Sequence, residues 1–156
     1  VRPGTGPGAG RAGSSGLGEK EPPELQVAAQ VSLAVAAKAS AENFPVALRV
    51  LPGRWRAHLT ALYGFARLVD DIGDEPLPGM PADASAETVT ATRLKLLDDL
   101  HDDVARIYDR SSEPKLAAIR ALAATVRECG VPSQPLYDLI QANRQDQLVT
   151  RYETYR

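Results

Sequence analysis

One cysteine, little aromatic content and no long hydrophobic run mark this sequence of 156 residues. A lone thiol, Cys129, cannot form an intramolecular disulfide, and it suits a reducing compartment. Aromatic residues make up only 5%, and the apolar content is mostly Ala, Leu and Val, which favours helices over sheets. No stretch alternates apolar and polar residues over a strand's length, and no internal repeat is present. The most apolar run, residues 25–39, is interrupted by Gln26, Gln30, Ser32 and Lys38, and is shorter than the roughly 20 residues a bilayer requires. The first residues lack a basic region followed by an apolar one, so no secretory leader is recognised and a cytoplasmic protein is expected. Nor is there an excess of positive charge. A formal net charge of −2 argues against nucleic acid as a partner.

What is present reads as one helical domain behind a polar tail. Residues 1–24 hold seven Gly and four Pro and almost no large apolar side chain, a composition that predicts a disordered tail. Residues 25–156 read as helix after helix. "ELQVAAQVSLAVAAKASAENF" predicts the first, broken near Asn43 to Pro45. "PGRWRAHLTALYGFARLVDDIGDE" predicts a second, with Pro52 near its first turn and Pro76 ending it. After the loop "PLPGMPAD" come "ASAETVTATRLKLLDDLHDDVARIYD", then "EPKLAAIRALAATVRECG" closed by Gly130, then "SQPLYDLIQANRQDQLV" opened by Ser133. The fold class is all-α. The last residues, "TRYETYR", read as the approach to a further helix, which suggests a fragment.

The second helix carries the chemistry. Its end, "VDDIGDEP", sets Asp70, Asp71, Asp74 and Glu75 just ahead of a proline. At about 100° per residue, Tyr63, Arg67, Asp70 and Asp74 fall within roughly 60° of one another, while Asp71 and Glu75 form an adjoining stripe. Trp55, Leu59, Leu62, Phe65, Leu68, Val69 and Ile72 make the rest apolar nearly all round, so the helix is expected to be buried, with an acidic stripe facing a cavity. Such a block opposes the helix dipole by about 0.3–1 kcal/mol per anion, and burying an unpaired carboxylate costs several kcal/mol more. A positive partner is therefore expected. Mg²⁺ suits carboxylate oxygens and shares its remaining positions with a substrate's phosphates, and Arg67 could grip the same phosphate in bidentate fashion. A solvated acidic helix end remains the alternative on local pattern alone.

"ENFPVALRVLP" followed by "LTALYGFARLVDDIGDE" resembles the squalene/phytoene synthase family, and with "LIQANRQDQLVTRYETY" the likeness leans toward bacterial hydroxysqualene synthases. It covers residues 39–156. The resemblance implies an all-α isoprenoid-synthase bundle with a central cavity, in which two acid-rich motifs on opposite walls hold Mg²⁺ and a diphosphate. Asp70, Asp71, Asp74 and Glu75 match the first motif, Asp70 and Asp74 foremost as ligands, and Tyr63 and Arg67 match positions beside the diphosphate. Asn143, Asp146 and Thr150 share a face of a helix that lines the cavity in the family, and Arg151 and Tyr152 match a recurrent "RY". The second acid-rich motif lies beyond this stretch in the family, so the chain is expected to represent about the N-terminal half of an enzyme and to be inactive alone.

The implied reaction is ionisation of presqualene diphosphate, rearrangement of the cation and capture by water to give hydroxysqualene, with no nicotinamide cofactor. Phe44, Leu48, Leu62 and Phe65 are candidate cavity-wall residues, each first of all an ordinary core residue. A lipidic product implies peripheral contact with the inner face of the membrane. Two rival functions remain open at this point: head-to-head condensation of two prenyl diphosphates such as farnesyl diphosphate, and a non-catalytic helical module left by truncation. Elsewhere, "LDDLHDDV" (Asp98, Asp99, His101, Asp102, Asp103) reads as a solvated face, with Leu96, Leu97, Leu100 and Val104 turned inward. His58 and Cys129 read as structural, and Arg49, Arg54 and Arg56 as surface residues or contacts to diphosphate or anionic lipid.

Overall fold

The computed structural model describes residues 50–149, together with Gln30. Apart from Gln30, the predicted first helix lies outside the described residues, as do the tail and Phe44, Leu48, Arg49, Thr150, Arg151 and Tyr152. Within them the structure is all-α: α1 (Gly53–Asp74), α2 (Ala86–Asp109), α3 (Ala117–Cys129) and α4 (Gln134–Leu148). No strand occurs among the described residues, and no helix there is long and apolar enough to cross a membrane.

Each boundary has a local cause. Helix α1 begins after Pro52, whose carbonyl accepts from the Arg56 amide at 3.1 Å, and it ends where Glu75 turns extended (φ −83°, ψ 157°). Pro76 imposes that turn, since a residue preceding proline is driven out of the helical region. Ser85 caps α2, its hydroxyl accepting from the Thr88 amide at 3.2 Å. Gly130 closes α3 in the left-handed region (φ 64°), and Arg110 does the same for α2 (φ 55°).

Two boundaries depart from the sequence expectation. Helix α3 starts at Ala117 rather than near Glu113, and Ser133 precedes α4 without a side-chain capping bond. The late start of α3 is explained by a remote cap. The α3 N-cap residue, Leu116, has no polar side chain, and Asp103 of α2 serves in its place. Its carboxylate accepts from the amides of Lys115 (2.7 Å) and Leu116 (2.9 Å) and from Arg106 Nη1 (2.9 Å). Asp103 is 2% exposed, which corrects the reading of "LDDLHDDV" as a wholly solvated face. Asp98, His101 and Asp102 do lie exposed, with Asp98 paired to Arg144 of α4.

The core is shared by all four helices. Phe65, Leu68 and Ile72 of α1 meet Leu96, Leu97 and Leu100 of α2, Ile119 and Leu122 of α3 and Ile140 of α4 in one buried cluster. Helix α1 packs most broadly on α3 and next on α4, while α2 packs chiefly on α4. Only the second half of α1 enters this core. Trp55 is 48% exposed and Leu59 is also exposed, so the expectation of burial along the whole helix fails for its first turns. His58, in those turns, is held by structural contacts: Nδ1 lies 3.1 Å from Thr125 Oγ1 and Nε2 lies 3.5 Å from Glu128.

Candidate functional site

The acidic block sits at the end of α1, where α2 and α4 approach it. Its carboxylates divide by burial. Asp70 and Asp74, one turn apart, are exposed, whereas Asp71 is 4% exposed and Glu75 is half-buried. The stripe that turns inward is thus that of Asp71, next to the core residues Leu68 and Ile72, and the stripe of Asp70 and Asp74 faces outward from the described helices. Asp71 has its own countercharge: Arg67 Nε lies 3.3 Å from Asp71 Oδ1 across one helical turn. Part of the expected positive partner is therefore the protein's own arginine. Tyr63 is half-buried on the Arg67 stripe.

Phe65 is 2% exposed and packed within the hydrophobic cluster, a core residue in the described structure. Asn143 is brought to the site by close approach of α4 to α1. A Cβ at Gly73 would lie 2.6 Å from Asn143 Oδ1, so the missing side chain lets the two helices meet. Asp146, on the same helix, is exposed.

Sequence reasoning missed two residues here. Arg93 of α2 donates from Nη2 to the Glu75 carbonyl (3.1 Å) and from Nη1 to Gln147 Oε1 (3.3 Å). Gln147 of α4 in turn donates from Nε2 to the Gly73 carbonyl (3.2 Å). The last carbonyls of a helix have no partner within it, and at α1 the side chains of two other helices supply two of the bonds. A signal was available. Arg93 stands three, four and seven residues before Leu96, Leu97 and Leu100, and Gln147 stands seven after Ile140, so both are polar residues on core-facing stripes.

The comparisons decide the family. The squalene/phytoene synthase family model matches residues 37–156. The chain belongs to the squalene/phytoene synthase family. Among curated relatives it is 33% identical over 115 residues to the hydroxysqualene synthase of Rhodopseudomonas palustris, covering 73% of this chain and 34% of that protein. It is 34% identical over 113 residues to the bifunctional lycopene cyclase/phytoene synthase of Podospora anserina, covering 67% of this chain and 18% of the relative. Identity to the phytoene synthase of Mycobacterium tuberculosis is 31% over 109 residues, or 70% of this chain and 31% of that one. The matches thus span about a third or less of the relatives' own length. No solved structure matches the chain significantly.

For a squalene/phytoene synthase chain, the number of available carboxylates is telling. Among the described residues no group of three or more His, Cys, Asp or Glu is arranged to hold a metal ion by itself. The end of α1 offers two exposed carboxylates, Asp70 and Asp74, rather than the four in its sequence.

Proposed function

We propose that this chain supplies the first diphosphate-binding wall of a Mg²⁺-dependent prenyl diphosphate enzyme that converts presqualene diphosphate to hydroxysqualene. The observation that carries the reading is the division of the acidic block: Asp71 is withdrawn into an ion pair while Asp70 and Asp74 stay exposed one turn apart. That donor set fits Mg²⁺, which binds through one or two carboxylates, retains waters and takes substrate phosphate oxygens in its other positions. Bound there, Mg²⁺ would supply positive charge to the departing diphosphate.

The chain's own residues do the rest. Asp70 and Asp74 hold the cation, and Asp71 fixes the Arg67 side chain so that its guanidinium is set on the stripe of Asp70 and Asp74. A guanidinium there matches a phosphate in bidentate geometry and stabilises charge as it develops on the leaving group. Tyr63 lies on the same stripe, one turn before Arg67. Asn143 and Asp146 bring a second helix to the substrate, and Phe44, outside the described residues, is the further residue assigned to the apolar wall. Capture of the cation by water needs no nicotinamide. The lipid product is released at the membrane surface by a peripheral contact.

Head-to-head condensation is the second reading, favoured by the phytoene synthases that match this chain at similar identity. One experiment separates the two: the product of the complete reading frame is incubated with Mg²⁺ and either presqualene diphosphate or farnesyl diphosphate, and products are followed by mass. Hydroxysqualene from presqualene diphosphate alone, with turnover reduced at least about 100-fold in Asp70→Asn or Asp74→Asn, is the expected result. A C30 product from farnesyl diphosphate alone would favour condensation, and no turnover of either would sink the catalytic claim.

A further inference from the structure

The core-facing stripes of three helices change character at one place. On α1, Val69 is followed one turn on by Gly73; on α2, Leu96, Leu97 and Leu100 are preceded by Arg93; on α4, Leu136 and Ile140 are followed by Asn143 and Gln147. The structure brings these exceptions together at the acidic end of α1. Apolar residues would pack there at less cost. Arg93 Nε is buried without a hydrogen-bond partner among the described residues, a cost that an apolar residue there would avoid.

We propose that Arg93 is a positioning residue that, acting with Gln147, latches the end of α1 to α4 and so sets Asp70 and Asp74 for the cation and diphosphate. The inference rests on the Mg²⁺–diphosphate reading above. Arg93 touches neither carboxylate. It holds the Glu75 carbonyl with one Nη group and orients the Gln147 amide with the other, so that Gln147 presents its NH₂ to the Gly73 carbonyl. Gly73 and Glu75 flank Asp74, and the backbone on both sides of that residue is thereby pinned to two other helices. The planar fork of arginine serves two acceptors at fixed spacing, which the single ammonium of lysine does not reproduce. Gly73 belongs to the same device, because its lack of a Cβ leaves room for Asn143 and lets Gln147 come close enough to bond the Gly73 carbonyl.

The test uses Mn²⁺ with inorganic diphosphate as probe and the whole 156-residue chain as protein, free Mn²⁺ being counted by electron paramagnetic resonance. Arg93→Met and Gln147→Leu are each expected to weaken binding about tenfold, the double variant no further than either single one, and Arg93→Lys to fall between. Asp103→Asn, which loosens the distant α3 cap, serves as control for general destabilisation and is expected to bind as the native chain does below its unfolding midpoint. Native affinity in Arg93→Met, full recovery in Arg93→Lys, multiplying losses in the double variant, or equal weakening in Asp103→Asn would each overturn the latch. Asp70→Asn and Asp74→Asn separate the two levels. If they abolish binding while Arg93→Met does not, only the latch is wrong. If they bind like the native chain, or if the native chain binds nothing, the Mg²⁺–diphosphate reading of this chain fails and the latch fails with it.

Discussion

Asp103 shows how much one buried carboxylate can decide. It accepts three hydrogen bonds, two from backbone amides ahead of α3, and its charge lies where a helix N-terminus favours an anion. Asp103→Ala would leave those amides and Arg106 without their acceptor, and a loss of about 3–5 kcal/mol is expected in urea unfolding. Asp102→Ala, next door and exposed, should stay within about 0.5 kcal/mol of native. Tyr108 gives a second residue-level test. Its hydroxyl donates to the Val131 carbonyl at 3.1 Å, and burial first, then the nearby Tyr137, push its pKa above the usual 10.0. Because the folded pKa is raised, the stabilisation is complete below the unfolded value near 10.0 and disappears as pH climbs through the folded one. Tyr108→Phe should cost about 1 kcal/mol at neutral pH and lessen the decline in stability above pH 10.0, measured by urea unfolding across that range.

At the scale of elements, the contact of α1 with α4 is the one that shapes the site. Gly73→Ala gains helix propensity of about 0.5–1 kcal/mol but drives a Cβ into the Asn143 amide. In the native background the clash should prevail, with a net loss of about 1 kcal/mol. In an Asn143→Ala background the same substitution should become stabilising, and a reversal of sign between the two unfolding curves is the result that checks the contact. Helix boundaries were largely legible beforehand, because they rest on local chemistry: Pro52 and Pro76 around α1 and Gly130 after α3. The start of α3 was not, since its cap comes from Asp103, fourteen residues before Ala117 and on another helix. The exposure of Trp55 and Leu59 was equally hidden. An apolar side chain is written in the sequence, but whether another helix covers it is settled by packing.

For the whole molecule, a ligand that binds only the folded state must stabilise it. Mg²⁺ with inorganic diphosphate, supplied at about 100 times its dissociation constant, should add about 2.7 kcal/mol to the unfolding free energy. The Asp70→Asn, Asp74→Asn double variant should show no such gain, and an equal rise in thermal midpoint for both proteins would locate the ligand elsewhere. The all-α class, the order of the four described helices and the acidic motif itself follow from the sequence, because composition, periodicity and end signals act over one or two turns. So does the i, i+4 relation of Asp70 to Asp74, which helix geometry imposes wherever the helix lies. Tertiary structure alone decided that Asp71 goes inward to Arg67, that Asp70 and Asp74 stay out, and that Arg93 and Gln147 tie down the end of the helix. Those outcomes depend on which face of α1 its neighbours cover, and burial is a property of the packed assembly of helices rather than of any one of them.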